Sequence, residues 1–243
     1  MGKGNRVGLV PTMGYLHDGH RALMDCSVRQ ADKTVLSLFV NPTQFGPAED
    51  LDVYPRDFEG DSEKARRAGV DLLFCPGTEE IYLPDHQTQI TVLQLSAGLC
   101  GQDRPGHFAG VATVVAKLLN IVRPDQAYFG EKDFQQLRVI QQLVKDLNFD
   151  TVIHGVPIVR EQDGLAMSSR NAYLSAEERT EALVLYRALR VLREYSLSGR
   201  FDGNSDRLIN AAAKMIESSP LCTVEYLTIV DEQSLEPRPV IAG

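Results

Sequence analysis

The sequence predicts an α/β protein: a doubly wound parallel sheet, followed by a smaller α+β segment. Three observations point there. Short β-rich runs alternate with longer helical patterns through most of the chain, and one of those runs is almost continuously apolar. After about Ile158 the texture changes. Strand–helix alternation of this kind implies parallel strands joined by right-handed crossovers.

The elements follow in order. A first strand is expected over 6–10 and a second over 34–40, where Val35, Leu36, Leu38, Phe39 and Val40 make the run of a strand covered on both faces. Further strands are expected over 71–75, 127–129 and 151–154, and an extra strand over 87–93 near an insertion. Helices are expected over 19–31, 57–68, 111–122 and 134–147. In the third helix Val111, Val114, Val115, Leu118, Leu119 and Val122 fall on one face, a stripe that reads as core. Further on, Ser175 and Glu178 form a capping box that opens a long helix towards Tyr195. A second helix over 206–218 and an alternating strand over 223–230 complete the segment. The boundary is placed between Val156 and Asp163, giving domains 1–158 and 159–243.

With 243 residues, 43% hydrophobic and 24% charged, the chain can bury a substantial core. A net charge of −8 argues against broad nucleic-acid binding, but leaves room for a small cationic pocket. Cys26, Cys75, Cys100 and Cys222 are far apart and without C-x-x-C spacing, as in reduced residues of a cytosolic protein. No run is long and apolar enough for a membrane span, and no signal peptide precedes the first strand, so a cytoplasmic location is expected.

Five stretches carry candidate chemistry. "PTMGYLHDGH" (Pro11 to His20) follows the first strand, where open α/β sheets bind ligands, and leads into a helix N-terminus, where free N–H groups favour anions. His17 and His20, three residues apart, could present two donors to a phosphate; the plainer reading has one capping the helix and the other solvated. "FVNPTQF" ends the second strand, with Asn41 and Gln44 able to hold a hydroxy acid through neutral groups, though Asn41-Pro42 alone is a turn. "YFGEKDFQQ" supplies Gly130, Lys132, Asp133 and Gln136, and also suits an ordinary charged helix start. "GLAMSSRN" supplies Ser168, Ser169 and Arg170, two hydroxyls and a guanidinium fitted to phosphate oxygens, in a loop at the domain joint. In "RPGHF", Arg104 either faces an anion or braces a loop.

Taken together and in order, "VGLVPTMGYLHDGH", "FVNPTQF", "YPRD", "RPGHF", "GEKDFQQ" and "GLAMSSRN" resemble the pantothenate synthetase family through nearly the whole chain. His17-x-Gly19-His20 alone is shared by many nucleotidyltransferases and class I aminoacyl-tRNA synthetases. The resemblance implies a Rossmann-like domain for ATP and pantoate, a C-terminal lid, a homodimer and a two-step reaction. Pantoate and ATP give pantoyl adenylate and pyrophosphate, and β-alanine then displaces AMP. It further implies that His17, His20, Lys132, Ser168, Ser169 and Arg170 are catalytic and bind phosphates, with Thr12, Met13, Gly130 and Asp133 at the nucleotide. Gln44 and Gln136 would grip pantoate, with Asn41, Tyr54 and Arg104 also on the substrate side and Tyr54 near β-alanine. Asp61 falls where the family has a residue near Mg2+, acting directly or through water. Against the family pattern the chain has only five residues before Arg6, and "RPVIAG" is expected to fall short of the last strand of the lid.

Two other functions share parts of this pattern. An adenylyltransferase acting on a phosphate acceptor would need a cationic acceptor pocket, whereas Gln44 and Gln136 are neutral. A silent nucleotide-binding module would be expected to lack Lys132 or His20, and both are present. A redox Rossmann protein is disfavoured because no G-x-G-x-x-G follows the first strand.

Overall fold

The computed structural model describes residues 4–198 and 201–240. Five strands, β1 (Val7–Thr12), β2 (Lys33–Leu38), β3 (Leu72–Phe74), β4 (Gln126–Gly130) and β5 (Val152–Val156), form one sheet in the order β3-β2-β1-β4-β5. Every neighbouring pair is parallel. The helices are α1 (Asp18–Gln30), α2 (Phe58–Ala68), α3 (Thr78–Ile81), α4 (Cys100–Asp103), α5 (His107–Val122), α6 (Phe134–Asp146), α7 (Ala176–Ser196) and α8 (Ser205–Glu217).

Alternation along the strands sends successive side chains to opposite faces. Leu9, Ala127 and Phe129 join a core cluster with the apolar stripe of α5 and with Leu137, Ile140 and Leu143 of α6. Their neighbours Val10, Leu36 and Tyr128 pack with Leu23 and Met24 of α1 and Ala65 of α2. The sheet is therefore covered on both faces, which is the doubly wound, Rossmann-like arrangement expected. Its strand order reverses between β1 and β4, which pair only at Gly8 and Leu9. Beyond those residues the two strands separate, and such a switch point opens a crevice at the carboxyl ends of the strands.

By compactness the chain divides into two units. The first runs through Val159 and also takes Met167–Ser169; the second holds Arg160–Ala166 and the chain from Arg170. In the second unit α7 opens on the expected capping box, Glu178 N–H donating to Ser175 Oγ and Ser175 N–H to the Glu178 carboxylate. Ala188, Ala212 and Ile216 close the α7–α8 core, with Cys222, Val224 and Leu227 packed on it.

Two expected strands are absent. Residues 87–93 form no ladder. Ile90 N–H bonds the Thr113 hydroxyl at 3.0 Å, and Ile90 and Val92 pack on the α5–α6 core, so their alternation serves packing on a helix. Residues 223–230 likewise form no strand; only Val230 bridges, to Pro237, while Val224 and Leu227 are used against the helix pair. Val240 bridges to Asn204, and 241–243 of "RPVIAG" lie outside the described residues.

Candidate active site

The crevice side of β1 ends in residues 13–17, and α1 starts immediately afterwards. His17 is the N-cap of α1, and its Nδ1 accepts the Gly19 N–H at 3.1 Å. His20 reciprocates: its Nδ1 accepts the His17 N–H at 3.3 Å. A ring nitrogen that accepts an amide proton carries none of its own, so each neutral imidazole keeps its proton on Nε2. The rings lie together, centroids 4.0 Å apart. Burial lowers the His17 pKa, with Lys132 and Lys64 adding to the effect, and pushes His20 down to about 3, helped by His17 and the same lysines. Near neutral pH, His20 is thus an uncharged Nε2–H donor at a helix N-terminus, where anions are favoured. Each ring bonds the backbone at the helix start through Nδ1 and keeps an Nε2–H, so the cap of the plainer reading is present, but burial leaves His20 desolvated instead of solvated.

Thr12 is buried, its hydroxyl donating to Ser37 O at 2.7 Å and accepting the Gly14 N–H. Met13 Sδ accepts from Gln44 Nε2 at 3.4 Å, which ties the β1 loop to the turn after β2.

That turn is a short 3-10 helix, Pro42–Gln44, capped by Asn41. Asn41 is 1% exposed and fully engaged. Its Oδ1 accepts from Thr43 and from the Tyr82 hydroxyl, and its Nδ2 donates to Gln44 Oε1 (3.1 Å) and Gly110 O (3.2 Å). The apposition to α5 is close: a Cβ on Gly110 would stand 2.4 Å from Thr43 O. His107, whose pKa burial lowers, bonds Gln44 O through Nδ1 at 2.8 Å, and its Nε2 faces Arg104 at 3.2 Å. The Arg104 guanidinium in turn makes a two-pronged bond to Glu49, whose carboxyl it holds below the usual range. Asn41 and Arg104 therefore brace the loop that carries Gln44. Among the described residues Gln44 Nε2 has only a sulfur as acceptor, a weak partner. Tyr54 is buried edge-on to Phe45 of the same loop.

On the other side of the switch point, β4 ends at Gly130 and a 3-10 turn, Glu131–Asp133, leads into α6. Lys132 Nζ lies 3.5 Å from Asp133 Oδ1, and both side chains are well exposed. Gln136, half-buried on the first turn of α6, makes no side-chain hydrogen bond among the described residues. Ser169 is buried and bonds Tyr15 O at 3.2 Å, while Ser168 beside it is half-buried. Arg170 belongs to the second unit and is exposed on the turn Ser169–Tyr173. Asp61 is 2% exposed and accepts two backbone N–H groups, from Tyr15 and Leu16, at 2.7 Å each.

Sequence reading missed the supports. Glu49, His107 and Tyr82 hold the Gln44 turn, and Lys64 donates to Leu16 O at 2.8 Å. "RPGHF" marked one of them; the others meet their partners across long sequence separations that no local pattern records.

Known proteins resemble the chain along nearly its whole length. The family model of pantoate-beta-alanine ligase matches residues 1–242. A pantothenate synthetase of Caldicellulosiruptor bescii is 53% identical over 241 residues, covering 99% of this chain and 85% of its own. Another, of Desulfotalea psychrophila, is 54% identical over 242 residues, covering 98% and 84%. Among solved structures, pantothenate synthetase from Thermus thermophilus superposes with a TM-score of 0.94 at 50% identity, over 98% of this chain and 85% of that one. The pantoate-beta-alanine ligase from Francisella tularensis, complexed with beta-gamma ATP and beta-alanine, gives a TM-score of 0.77 at 38% identity, over 88% and 80%. With a fold, a motif order and relatives that agree along its length, the chain belongs to the pantoate–β-alanine ligase family, the pantothenate synthetases.

Proposed function

We propose that this chain joins pantoate to β-alanine with ATP, through a pantoyl adenylate, and that the switch-point crevice carries the reaction. The observation that carries the site assignment is the pair of capped imidazoles at the start of α1, each left with one Nε2–H donor. A carboxylate is a poor acceptor of an amine, and adenylation gives it a good leaving group. The pantoate carboxylate oxygen attacks the α-phosphorus, the α–β bridging bond breaks and pyrophosphate departs. The β-alanine nitrogen then attacks the acyl carbon, AMP leaves, and the amine's proton passes to solvent.

No covalent nucleophile is needed, so the protein's work is orientation and charge stabilisation. In this reading His17, His20 and Lys132 meet the charge that grows on the departing pyrophosphate. Ser168 and Ser169 donate to phosphate oxygens, and from the second unit the reading takes Arg170, whose fork of donors suits them. Thr12 and Met13 shape the nucleotide side, with Gly130 and Asp133 at the ribose. Gln44 and Gln136 hold pantoate, with Tyr54 on the β-alanine side. The braced state of Asn41 and Arg104 supports indirect roles for both, through Gln44.

Mg2+ fits this chain only as a companion of the nucleotide. No cluster of three His, Cys, Asp or Glu able to hold a metal occurs among the described residues, and both Asp61 oxygens are engaged by amides. Phosphate oxygens and water would hold the ion. The lid role of the second unit, cytoplasmic residence and a homodimer belong to the same reading. Light scattering tests the last, with a mass of two chains expected and a mass of one contradicting it. Among the described residues no helix is long and apolar enough to cross a membrane.

Product analysis tests the reaction. Incubation with ATP, pantoate and β-alanine is expected to yield pantothenate, AMP and pyrophosphate in equal amounts, with none when pantoate is omitted. Adenylyl transfer to a phosphorylated acceptor instead would move the assignment to the rival enzyme.

A further inference from the structure

The loop that delivers His17 is held in an unfavourable backbone shape. Gly14 and Tyr15 both have positive φ, 86° and 50°, and for tyrosine the left-handed region is unfavourable because Cβ crowds the following carbonyl oxygen. Such a conformation persists only when its surroundings impose it. Here they do so through the first turns of α2. The two Asp61 oxygens accept the successive N–H groups of Tyr15 and Leu16, and one turn later Lys64 Nζ donates to Leu16 O. Lys64 Nζ also lies 3.9 Å from Asp61 Oδ1, which gives the buried carboxylate a counter-charge. The remaining polar group, Tyr15 O, accepts from Ser169. The peptide groups gripped in this way are those that immediately precede the N-cap of α1.

We propose that Asp61 and Lys64 are positioning residues for the adenylation step: together they clamp residues 15–16 and so set where His17 and His20 present their Nε2–H donors. The inference rests on the reading of those histidines as phosphate donors. It assigns Asp61 to the backbone in place of the metal. A carboxylate suits the position because only an ionised group accepts from two amides with two equivalent oxygens. In Asp61→Asn the amide NH2 would face one of the two N–H groups, donor against donor. A misplacement of about 1 Å remote from the reacting atoms can cost about a hundredfold in rate.

Steady-state pantothenate formation by wild type, Asp61→Asn and Lys64→Met, across a series of Mg2+ concentrations, tests the clamp. In Asp61→Asn, kcat is expected to fall by about ten- to a hundredfold, with the pantoate KM nearly unchanged and the loss equal at every Mg2+ concentration. In Lys64→Met, where one bond to a carbonyl is lost, a smaller fall of the same kind is expected. The Cε1–H resonances of His17 and His20 should shift in Asp61→Asn. Recovery of Asp61→Asn at high Mg2+ would make Asp61 a metal ligand and overturn the proposal. So would wild-type turnover in both variants, or unmoved histidine resonances. If Asp61→Asn does not fold, Lys64→Met decides alone, a fall in kcat supporting the clamp and wild-type kcat refuting it. A wild-type chain that makes no pantothenate would instead refute the underlying functional reading, and the clamp's role with it.

Discussion

The loops that follow β1 and β4 flank the same switch point and are built in opposite ways. In the β1 loop the N–H groups of residues 14–17 are all taken, by Thr12, Asp61 and His20, and the carbonyls of Tyr15 and Leu16 are taken by Ser169 and Lys64. After β4, Lys132 has only a 3.5 Å approach to its neighbour Asp133, and Gln136 has no side-chain hydrogen bond among the described residues. The first loop commits its polar groups to its own shape, and what it offers a ligand is two ring nitrogens. The second keeps long polar side chains uncommitted, able to follow charge as it moves. Rigid placement on one side and available donors on the other suit a reaction that needs a fixed in-line geometry and a neutralised leaving group.

The largest effect is expected where the uncommitted side carries most charge. Lys132→Ala should lower pantoate-dependent adenylate formation by about 10²–10³-fold, the scale of losing one preorganised electrostatic contact. Its melting temperature should be unchanged, because this surface ion pair holds little together. A folded variant with nearly normal exchange would break the comparison.

His20→Ala should cost a similar factor in rate and, unlike Lys132→Ala, about 1 kcal/mol of stability as well, since the His17 N–H loses its partner at the start of α1. Chemical denaturation measures that difference. Equal stability of the two variants would mean that the β1 loop is not the braced one.

Gly110→Ala sharpens the comparison from outside the crevice. The added Cβ meets Thr43 O at 2.4 Å, so the Gln44 turn must move. We expect about 1–3 kcal/mol of destabilisation, typical of overpacking, and a raised pantoate KM with a smaller change in kcat. An unchanged KM would separate Gln44 from pantoate.

A last effect, on stability alone, is a pH slope. The folded-state pKa of His20 is pushed down to about 3, below the ordinary value of 6.5, so between those values the unfolded chain binds a proton that the folded chain does not. Stability therefore falls as pH drops below about 6.5. His20→Gln should lose less stability than wild type between pH 7 and pH 4.5 in urea titrations. Parallel losses would show that the imidazole titrates normally.

How much of this was readable in the sequence follows from how local each feature is. Strand and helix periodicity located every strand of the sheet, because a covered parallel strand writes an apolar run and a one-sided helix writes a stripe. The α7 capping box was legible for the same reason, as it closes within four residues. Alternation misled at 87–93 and 223–230, where apolar residues two apart pack on helices without pairing to a strand. The candidate site was legible as far as its motifs follow strand ends. Its supports were not: Asp61 meets Tyr15 across 46 residues, and His107 meets Gln44 across 63. Asn41, Arg104 and Asp61 belong to motifs, yet which atoms they face is decided by tertiary approach.

In the proposed reaction this crevice activates pantoate with ATP before β-alanine takes part. Pyrophosphate–ATP exchange, measured without β-alanine and with or without pantoate, tests it most directly. Exchange is expected only when pantoate is present, lowered about 10²–10³-fold in Lys132→Ala. Exchange that ignores pantoate, or that depends on a phosphorylated acceptor in its place, would contradict it.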